Sequence, residues 1–238
     1  MKLALFGHGQ MGRAVEAQAR VAGHEIGAVL TSRNAGDAAR LLPGHDAALD
    51  FSLAAAVPAH VAACAAAGVP LVLGTTGWQG EEAAVRRLVE ELGATLVYAA
   101  NFSIGIQVFY RLVAQAADLL GDAYDPFIEE AHHARKRDAP SGTALALRQI
   151  LQRHLGGAGR DIPIASTRAG HIPGTHRVGF DAPGDQILLT HAARSRDGFA
   201  AGALLAARWA TTTQRRGMHA FGDVLDEMLA LDKERKDP

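Results

Sequence analysis

The segment from Glu129 to Ala144, EEAHHARKRDAPSGTA, holds the densest group of side chains that could carry out chemistry. The adjacent His132 and His133 offer imidazoles that titrate near neutrality and suit general-acid catalysis or a hydrogen bond to a carboxylate. Lys136 adds a mobile positive charge and a proton. The alternatives are a solvated histidine pair and an exposed basic face. A metal site is disfavoured, because no third ligand stands at a useful spacing.

The same segment predicts the start of a helix. Ser141 follows Pro140 and is a typical N-cap residue. The backbone N–H groups of Gly142 and Thr143, with the Thr143 hydroxyl, would then form a small anion cradle. We therefore expect Ser141, Gly142 and Thr143 to contact an anionic group.

The charge distribution points to a small anion and not to a polyanion. The 238-residue chain has a net charge of −1. Residues 131–180 hold eight Lys or Arg against two acids, so this window has a net charge of +6 and the rest of the chain has a net charge of −7. A near-neutral chain argues against a nucleic-acid binder, and the window lacks interleaved aromatic residues. The alternative, a nucleotide-sensing regulator that binds nucleic acid, would show steeply salt-dependent DNA binding.

A glycine-rich turn near the amino terminus predicts a dinucleotide site. An apolar run at 2–6 precedes it and an alanine-rich helical segment follows. Glycines at this spacing permit a tight turn, a close approach to a pyrophosphate and close helix packing. The predicted binding segment is Gly7, His8, Gly9, Gln10, Met11 and Gly12. A plain structural turn is the alternative.

The loop after the second predicted strand bears on the choice of cofactor. Where NAD sites place an acid, this chain has Thr31, followed by Ser32 and Arg33. A hydroxyl and a guanidinium suit a 2′-phosphate, so Ser32 and Arg33 favour NADPH, with NADH possible. A solvated loop arginine is the alternative.

Two further loops follow predicted strands and should lie at the carboxyl edge of the sheet, where doubly wound folds bind ligands. They are predicted to line a nicotinamide pocket, although each could be an ordinary cap or turn. Their candidate residues are Gly74, Thr75 and Thr76 in one loop, and Ala99, Ala100, Asn101 and Phe102 in the other.

These motifs need a parallel sheet to position them. Strand-like runs alternate with helical segments over the first hundred residues, which predicts a doubly wound sheet. From about residue 104 the pattern changes to α+β, and two last helices could return to the first domain. The strand-like runs are 2–6, 25–30, 47–51, 69–73, 94–98, 164–168, 176–180 and 186–192. A long apolar segment covers 104–120, and a Gly-rich loop covers 156–160. The last two predicted helices are 199–212 and 220–230. The fold class is α/β, a Rossmann-like dinucleotide-binding domain with an inserted α+β domain.

Composition narrows the class of protein. Hydrophobic residues make up 48% and charged residues 21%, which excludes disorder. No apolar stretch approaches the ~18 residues of a membrane span, so no membrane partner is expected. The single cysteine, Cys64, excludes an intramolecular disulfide and fits a cytoplasmic protein with a buried, inert thiol.

The run His132-His133-x-x-Lys136-x-Asp138-Ala139-Pro140-Ser141-Gly142-Thr143-Ala144 closely resembles the signature of the 4-hydroxy-tetrahydrodipicolinate (dihydrodipicolinate) reductase family of the diaminopimelate and lysine pathway. The amino-terminal glycine motif and the loops 74–77 and 99–103 follow in that family's order. So does the segment from Thr190-His191 to Arg196. The resemblance therefore spans nearly the whole chain.

The resemblance implies a dinucleotide-binding domain at 1–103 and 197–238 and a substrate-binding and oligomerisation domain at 104–196. It implies reduction of an unsaturated cyclic imine dicarboxylate by NADPH or NADH. His132 and Lys136 would be the acid and proton donor, because hydride addition leaves an electron-rich enamine that must be protonated. His133, Ser141, Gly142 and Thr143 would hold the substrate carboxylate, and Arg196 would interact with the closed site or the domain junction.

Three features depart from the family pattern. Phe127 replaces the acid at the start of the signature, and Thr31 replaces the acid after the second strand, which favours NADPH. The inserted domain looks shortened at 168–176, in the part through which homotetramers of the family are expected to pair. A different imine or keto-acid reductase on the same fold is the alternative enzyme.

Overall fold

The computed structural model describes residues 1–156, 159–212 and 215–234. The chain forms two compact units. The first contains Met1–Ser103 and the segment that begins at Arg196, and the second is Ile104–Ser195. The chain therefore leaves the first unit once and returns to it once.

The regular elements alternate in the first unit and are mixed in the second. The strands are β1 (Lys2–Phe6), β2 (Glu25–Leu30), β3 (Ala47–Asp50), β4 (Leu71–Leu73), β5 (Thr95–Tyr98), β6 (Asp125–His132), β7 (Ile164–Arg168), β8 (Thr175–Asp181), β9 (Gln186–Ala192) and β10 (Gly217–Ala220). The α-helices are α1 (Gln10–Val21), α2 (Ala38–Leu41), α3 (Val57–Ala67), α4 (Glu82–Glu91), α5 (Ile104–Leu120), α6 (Gly142–His154), α7 (Asp197–Thr212) and α8 (Phe221–Glu234).

The first unit is built on a six-stranded parallel sheet of order β10-β5-β4-β3-β1-β2. Both faces are covered, so alternate residues of β1 enter different cores. Leu3 and Leu5 pack in the cluster that includes Ala203 of α7, whereas Phe6 packs in the cluster that includes Val61 of α3. The chain order reverses between β1 and β3. This is the topological switch point, at whose carboxyl edge doubly wound folds bind ligands.

The second unit is built on a four-stranded mixed sheet of order β7-β6-β8-β9. β6 runs parallel to β7 and antiparallel to β8, and β9 pairs antiparallel with β8. Helices α5 and α6 cover one face, where Phe109 and Leu147 pack against Ile128 and Val178. On the other face of the sheet, Leu188 is 46% exposed.

The predicted fold class is confirmed. The strands predicted at 2–6, 25–30, 164–168 and 186–192 have those bounds, and the other four predicted strands differ by one or two residues at an end. The sequence missed β6, the strand that carries Glu130 and His132, and β10, a four-residue strand without an apolar pattern. The second unit ends one residue earlier than predicted, so Arg196 belongs to the first unit.

The predicted Gly-rich loop 156–160 includes residues 157 and 158, which lie outside the described residues. Among the described helices, none has the length and apolar character that crossing a membrane requires.

Candidate active site

Strand β6 presents two groups of the signature segment on one buried face. Glu130 and His132 stand two residues apart, so their side chains point the same way from the strand. Their relative exposures are 3% and 8%. Phe127 points to the opposite face, where its ring covers Gly179. The family acid that Phe127 replaces would therefore face away from His132.

The Glu130 carboxylate joins three elements. One oxygen, Oε1, accepts hydrogen bonds from the backbone N–H of Ser141 at 3.0 Å and from the Ser166 hydroxyl and the Arg168 guanidinium at 2.7 Å each. The other oxygen, Oε2, lies 2.9 Å from His132 Nδ1, an ion-pair distance at an angle too bent for a good hydrogen bond. The carboxylate therefore ties β6 to β7 and to the start of α6, and it holds the His132 ring.

These contacts keep Glu130 ionised. Burial raises the pKa of Glu130, but the hydrogen bonds from Ser141, Ser166 and Arg168 outweigh it and lower the pKa to about 2. Burial lowers the pKa of His132, the Glu130 charge opposes that shift, and the charges of Lys136 and Arg168 add to it. The neutral imidazole is thus the favoured form of His132 near neutral pH.

A second buried histidine lies next to the first. His176 on β8 pairs in register with Glu130, and its ring stands edge-on to that of His132 with centroids 5.0 Å apart. Its Nε2 is 3.1 Å from Ser141 Oγ. Burial lowers the pKa of His176 to about 4, with the charge of His132 adding to the shift. His176 therefore remains neutral and acts as a hydrogen-bonding partner of Ser141.

The other two candidate groups of the signature lie closer to solvent. Lys136 is partly buried, and its Nζ lies 2.8 Å from a carboxylate oxygen of Asp138. Burial raises the pKa of Asp138, but the hydrogen bond from Lys136, a backbone hydrogen bond and the charges of Lys136 and Arg168 together outweigh it, so the pKa is lowered. The Nδ1 atom of the half-buried His133 is buried without a hydrogen-bond partner among the described residues.

Helix α6 begins as predicted, with Ser141 as its N-cap. Ser141 Oγ accepts from the Ala144 N–H at 3.2 Å. Because Ser141 is 2% exposed and also contacts His176, its side chain supports the helix and is turned away from solvent. Gly142 is exposed, and the Thr143 hydroxyl is hydrogen-bonded to Tyr110 of α5. The helix N-terminus and Thr143 therefore form the part of the predicted cradle that a ligand can reach.

The structure brings together three potential metal ligands, although the sequence shows no third ligand at a useful spacing. Glu130, His132 and His176 each place one potential ligand atom within 4.8 Å of the others. The surroundings are nevertheless cationic, since Arg168 already pairs with Glu130 and the Lys136 charge acts on His132. This environment suits an anion better than a metal cation.

In the first unit, the glycine-rich loop after β1 has the predicted strand-turn-helix form. Gly7 has φ +85°, and a Cβ there would lie 2.6 Å from the Phe51 carbonyl oxygen. A Cβ on Gly12 would lie 2.2 Å from the Gly7 oxygen, so both positions require glycine for packing. Gly9 is different, because apart from its chain neighbours no atom of the described residues lies within 4 Å of its Cβ position, and it caps α1 without a side-chain bond. It leaves open space before the unpaired N–H groups of α1, which fits a pyrophosphate.

The remaining residues of this loop differ in what they offer a ligand. His8 and Gln10 are exposed, and His8 Nε2 lies 2.6 Å from a Glu16 oxygen. The Met11 side chain packs on the core of the unit. Because Met11 is only partly buried, its backbone and part of its side chain remain accessible.

The loop after β2 is braced by Asn34. The Asn34 side-chain oxygen accepts from the Thr31 N–H at 2.7 Å, and its amide donates to the Val29 carbonyl at 3.0 Å. Ser32 and Arg33 are exposed on this loop. In the described part of the chain, the Arg33 guanidinium has no ion-pair or hydrogen-bond partner.

The loops after β4 and β5 turn two predicted ligand side chains inward. Thr75 is 5% exposed, and its hydroxyl contacts Asp50 and accepts from the Ser52 N–H at 2.8 Å. Phe102 is 2% exposed and packs on Phe221. Only the backbones of Thr75 and Phe102 remain for a ligand. Of the other predicted residues, Thr76 and Ala100 are exposed, Gly74 and Ala99 half-buried, and the half-buried Asn101 accepts from the Ser103 N–H.

Sequence reasoning missed several residues that build these sites. Glu130 could have been found, since it stands two positions before His132 and shares its face of a strand. The segment Phe51–Ser52 directly follows β3 at the switch point, and the rule applied to the other strand ends would have included it. Ser166, Arg168, His176 and Tyr110 lie on other elements and left no local signal.

Comparison with known proteins identifies the family. The family model described as "Dihydrodipicolinate reductase, N-terminus" matches residues 1–102, and that described as "Dihydrodipicolinate reductase, C-terminus" matches residues 105–225. A 4-hydroxy-tetrahydrodipicolinate reductase of Christiangramia forsetii is 35% identical over 247 residues, covering 96% of this chain and 99% of the relative. One of Myxococcus xanthus is 42% identical over 197 residues, covering 76% of this chain and 72% of the relative.

A solved structure shares the fold. The dipicolinate-bound dihydrodipicolinate reductase from Paenisporosarcina sp. TG-14 superposes with a TM-score of 0.74 at 23% identity, over 92% of this chain and 97% of that one. The family match confirms the prediction of an enzyme over that of a nucleotide-sensing regulator. The chain belongs to the dihydrodipicolinate reductase family of oxidoreductases.

Proposed function

We propose that this chain reduces 4-hydroxy-tetrahydrodipicolinate, by way of dihydrodipicolinate, to tetrahydrodipicolinate in diaminopimelate and lysine biosynthesis, with NADPH as the preferred cofactor. Family membership supports the reaction. The observation that carries the proposal is the buried Glu130–His132 contact beside Lys136, close to the N-terminus of α6. It combines proton donors with an anion site within one unit.

The first unit fits a dinucleotide. The open space at Gly9 would receive the pyrophosphate, and the backbone N–H groups at the start of α1 would bind it. Ser32 and the exposed guanidinium of Arg33 would hold a 2′-phosphate, which is the basis for preferring NADPH over NADH. When bound, the reduced nicotinamide supplies the hydride.

The second unit fits a small dianionic substrate. The N–H groups of Gly142 and Thr143, with His133, would hold a carboxylate of the substrate. Tyr110 supports this arrangement by fixing the Thr143 hydroxyl. The cations Lys136 and Arg168 offset the negative charge of the substrate.

His132 and Lys136 handle the proton. Burial keeps His132 neutral in the free protein, and a dianion placed beside it would raise its pKa and favour the imidazolium. Addition of hydride to the conjugated ring leaves an electron-rich enamine, which His132 and Lys136 protonate. Glu130 positions the imidazole for this transfer through Nδ1.

The assembly we propose is a homotetramer that pairs through the second unit. The sheet face away from α5 and α6 carries the exposed Leu188 in register with Gly179 and Phe127. An apolar row on an uncovered sheet face favours association with another copy. We expect such a biosynthetic reductase in the cytoplasm.

The experiment is a spectrophotometric assay of NADPH oxidation with freshly made dihydrodipicolinate synthase product. A matched panel of other cyclic imines and 2-oxo acids is assayed at the same concentrations. The proposal predicts a kcat/KM for the synthase product at least a hundredfold above that for any other compound. A higher value for another imine or a keto acid would favour the alternative enzyme instead.

A further inference from the structure

A second buried carboxylate lies in the first unit, outside the signature segment. Asp50, the last residue of β3, is 0% exposed. Its Oδ1 accepts from the Ser52 N–H at 2.9 Å, the Ser52 hydroxyl at 2.5 Å and the Thr75 hydroxyl at 3.0 Å. Its Oδ2 lies 2.7 Å from His60 Nδ1. A buried carboxyl group is tolerated only where such partners satisfy its oxygens, so these contacts hold the Asp50 side chain in one position.

These bonds fix the loops on both sides of the switch point. Ser52 follows β3 and Thr75 follows β4, and the Ser52 N–H also donates to Thr75 Oγ1 at 2.8 Å. The Phe51 carbonyl packs directly on Gly7, in the loop after β1. The three loops after β1, β3 and β4 are therefore held in one arrangement, with Asp50 at its centre.

His60 anchors the arrangement from α3. It is 8% exposed, and its ring stacks on Phe6 of β1 with centroids 4.0 Å apart and planes 19° apart. Stacking fixes the plane of the imidazole, so Nδ1 can hold Asp50 Oδ2 in one orientation. The position of the carboxylate is thus set by the sheet and the helix together.

The hydroxyl of Ser52 has a defined polarity. Because its proton is given to Asp50, Ser52 Oγ can only accept a hydrogen bond from a ligand. The half-exposed position of Ser52 after β3 lies beyond the first βαβ unit, on the side where a Rossmann fold holds the nicotinamide half of a dinucleotide. That half offers donors, namely ribose hydroxyls and a carboxamide.

We propose that Asp50 and His60 are positioning residues that orient Ser52 and Thr75, and through them the loops that hold the nicotinamide half of the cofactor. This inference rests on the proposed use of a nicotinamide dinucleotide. It assigns Asp50 and His60 no contact with the cofactor itself. Their effect should appear in NADPH binding and not in the binding of a ligand that fills only the adenosine half.

The test is direct titration of the whole protein with NADPH and, separately, with adenosine 2′,5′-bisphosphate, without substrate. Thr75→Val removes the hydroxyl that donates to Asp50 and accepts from the Ser52 N–H, at constant shape. Thr75→Ser keeps both bonds, and Asp50→Asn changes the carboxylate. We expect Thr75→Val and Asp50→Asn to raise the Kd for NADPH about threefold to tenfold, the equivalent of one or two lost hydrogen bonds. Thr75→Ser should bind like wild type, and the bisphosphate Kd should be unchanged in every variant.

Thr95→Val is the matched control. Thr95 is also a buried threonine, and its hydroxyl donates to the Arg215 carbonyl at 2.8 Å at the amino end of β5, away from these loops. The Thr95→Val variant should be less stable than wild type but should bind NADPH with an unchanged Kd. Unchanged NADPH binding in Thr75→Val, or an equal loss for both ligands, would overturn the inference. If wild type binds the bisphosphate but neither NADPH nor NADH, the proposed cofactor is wrong instead.

Discussion

Glu130 Oε2 lies 2.9 Å from His132 Nδ1, and the two residues stand two positions apart on β6. The other carboxylate oxygen is held by Ser141, Ser166 and Arg168. Glu130 Oε2 thus lies against Nδ1 of the His132 ring, and the Nε2 atom of the ring is turned towards Gly174. The nitrogen that can meet a substrate is Nε2.

Replacing Glu130 by Gln should lower kcat by about tenfold to a hundredfold, because the His132 ring loses its charged partner and the partly buried Arg168 loses its carboxylate partner. The free energy of unfolding should also fall by about 3 kcal/mol. Steady-state kinetics and urea denaturation measure the two effects. Glu129→Gln is the control, since Glu129 pairs with Arg177 on the other face of the sheet. Wild-type kcat in a folded Glu130→Gln variant would show that Glu130 does not position His132.

Gly174 is predicted to keep the space beside His132 open. It has φ +152°, and a Cβ there would lie 3.2 Å from His132 Nε2. Gly174→Ala should therefore reduce kcat/KM about tenfold or more and also strain the backbone. Gly170→Ala is the control, because Gly170 also has a positive φ, +48°, but has open space at its Cβ position. Equal kinetics in the two variants would mean that strain, and not the contact with His132, limits the reaction.

The buried histidines should make stability depend on pH. The unfolded state binds a proton at His176 with a pKa near 6.5, whereas the folded state does so at about 4. Stability should therefore fall as the pH drops from about 6.5 towards 4, by about 2 kcal/mol at pH 5 for this residue. Glu130 lowers the free energy of unfolding only as the pH falls below its unfolded pKa of about 4.5. The loss of stability between pH 6.5 and pH 5 therefore reports on the buried histidines.

Urea denaturation at pH 7.5 and pH 5 measures this dependence. His176→Gln should show a smaller loss at pH 5 than wild type. The exposed His154, which pairs with Asp118, serves as control, and His154→Gln should behave like wild type. The same loss at pH 5 in His176→Gln and wild type would contradict a buried neutral His176.

Arg33 should distinguish the two cofactors. Arg33→Ala should raise the KM for NADPH about tenfold and leave the KM for NADH unchanged, because only NADPH carries the 2′-phosphate. Steady-state kinetics with both cofactors measure the difference. Arg40→Ala removes an exposed arginine of α2 that pairs with Asp37, and it should change neither value. An equal effect of Arg33→Ala on both cofactors would rule out the 2′-phosphate contact.

Local sequence signals predicted the elements better than the contacts between them. Ser141 was recognisable as an N-cap from its neighbours alone, and Gly7, Gly9 and Gly12 from their position after a strand. The partners of Glu130 could not be recognised from the sequence, because Arg168 and His176 reach Glu130 only through the pairing of β6 with β7 and β8. Strand register depends on the whole sheet and not on a local pattern.

The inward turn of some predicted ligands also had no sequence signal. Thr75 was predicted to face a cofactor, but its hydroxyl bonds to Asp50, which precedes it by 25 residues. Phe102 was assigned to the same pocket, yet it fills the core beside Phe221. Whether a loop side chain points in or out depends on the neighbouring loops, which the sequence alone does not position.

We propose that His132 and Lys136 supply the proton when dihydrodipicolinate is reduced. To test this, kcat for NADPH oxidation with fresh synthase product is measured in wild type, His132→Ala and Lys136→Ala, and the NADPH Kd of each protein is measured separately. We expect kcat to fall at least a hundredfold in each variant while the Kd for NADPH stays within twofold of wild type. Normal turnover in both variants would contradict it.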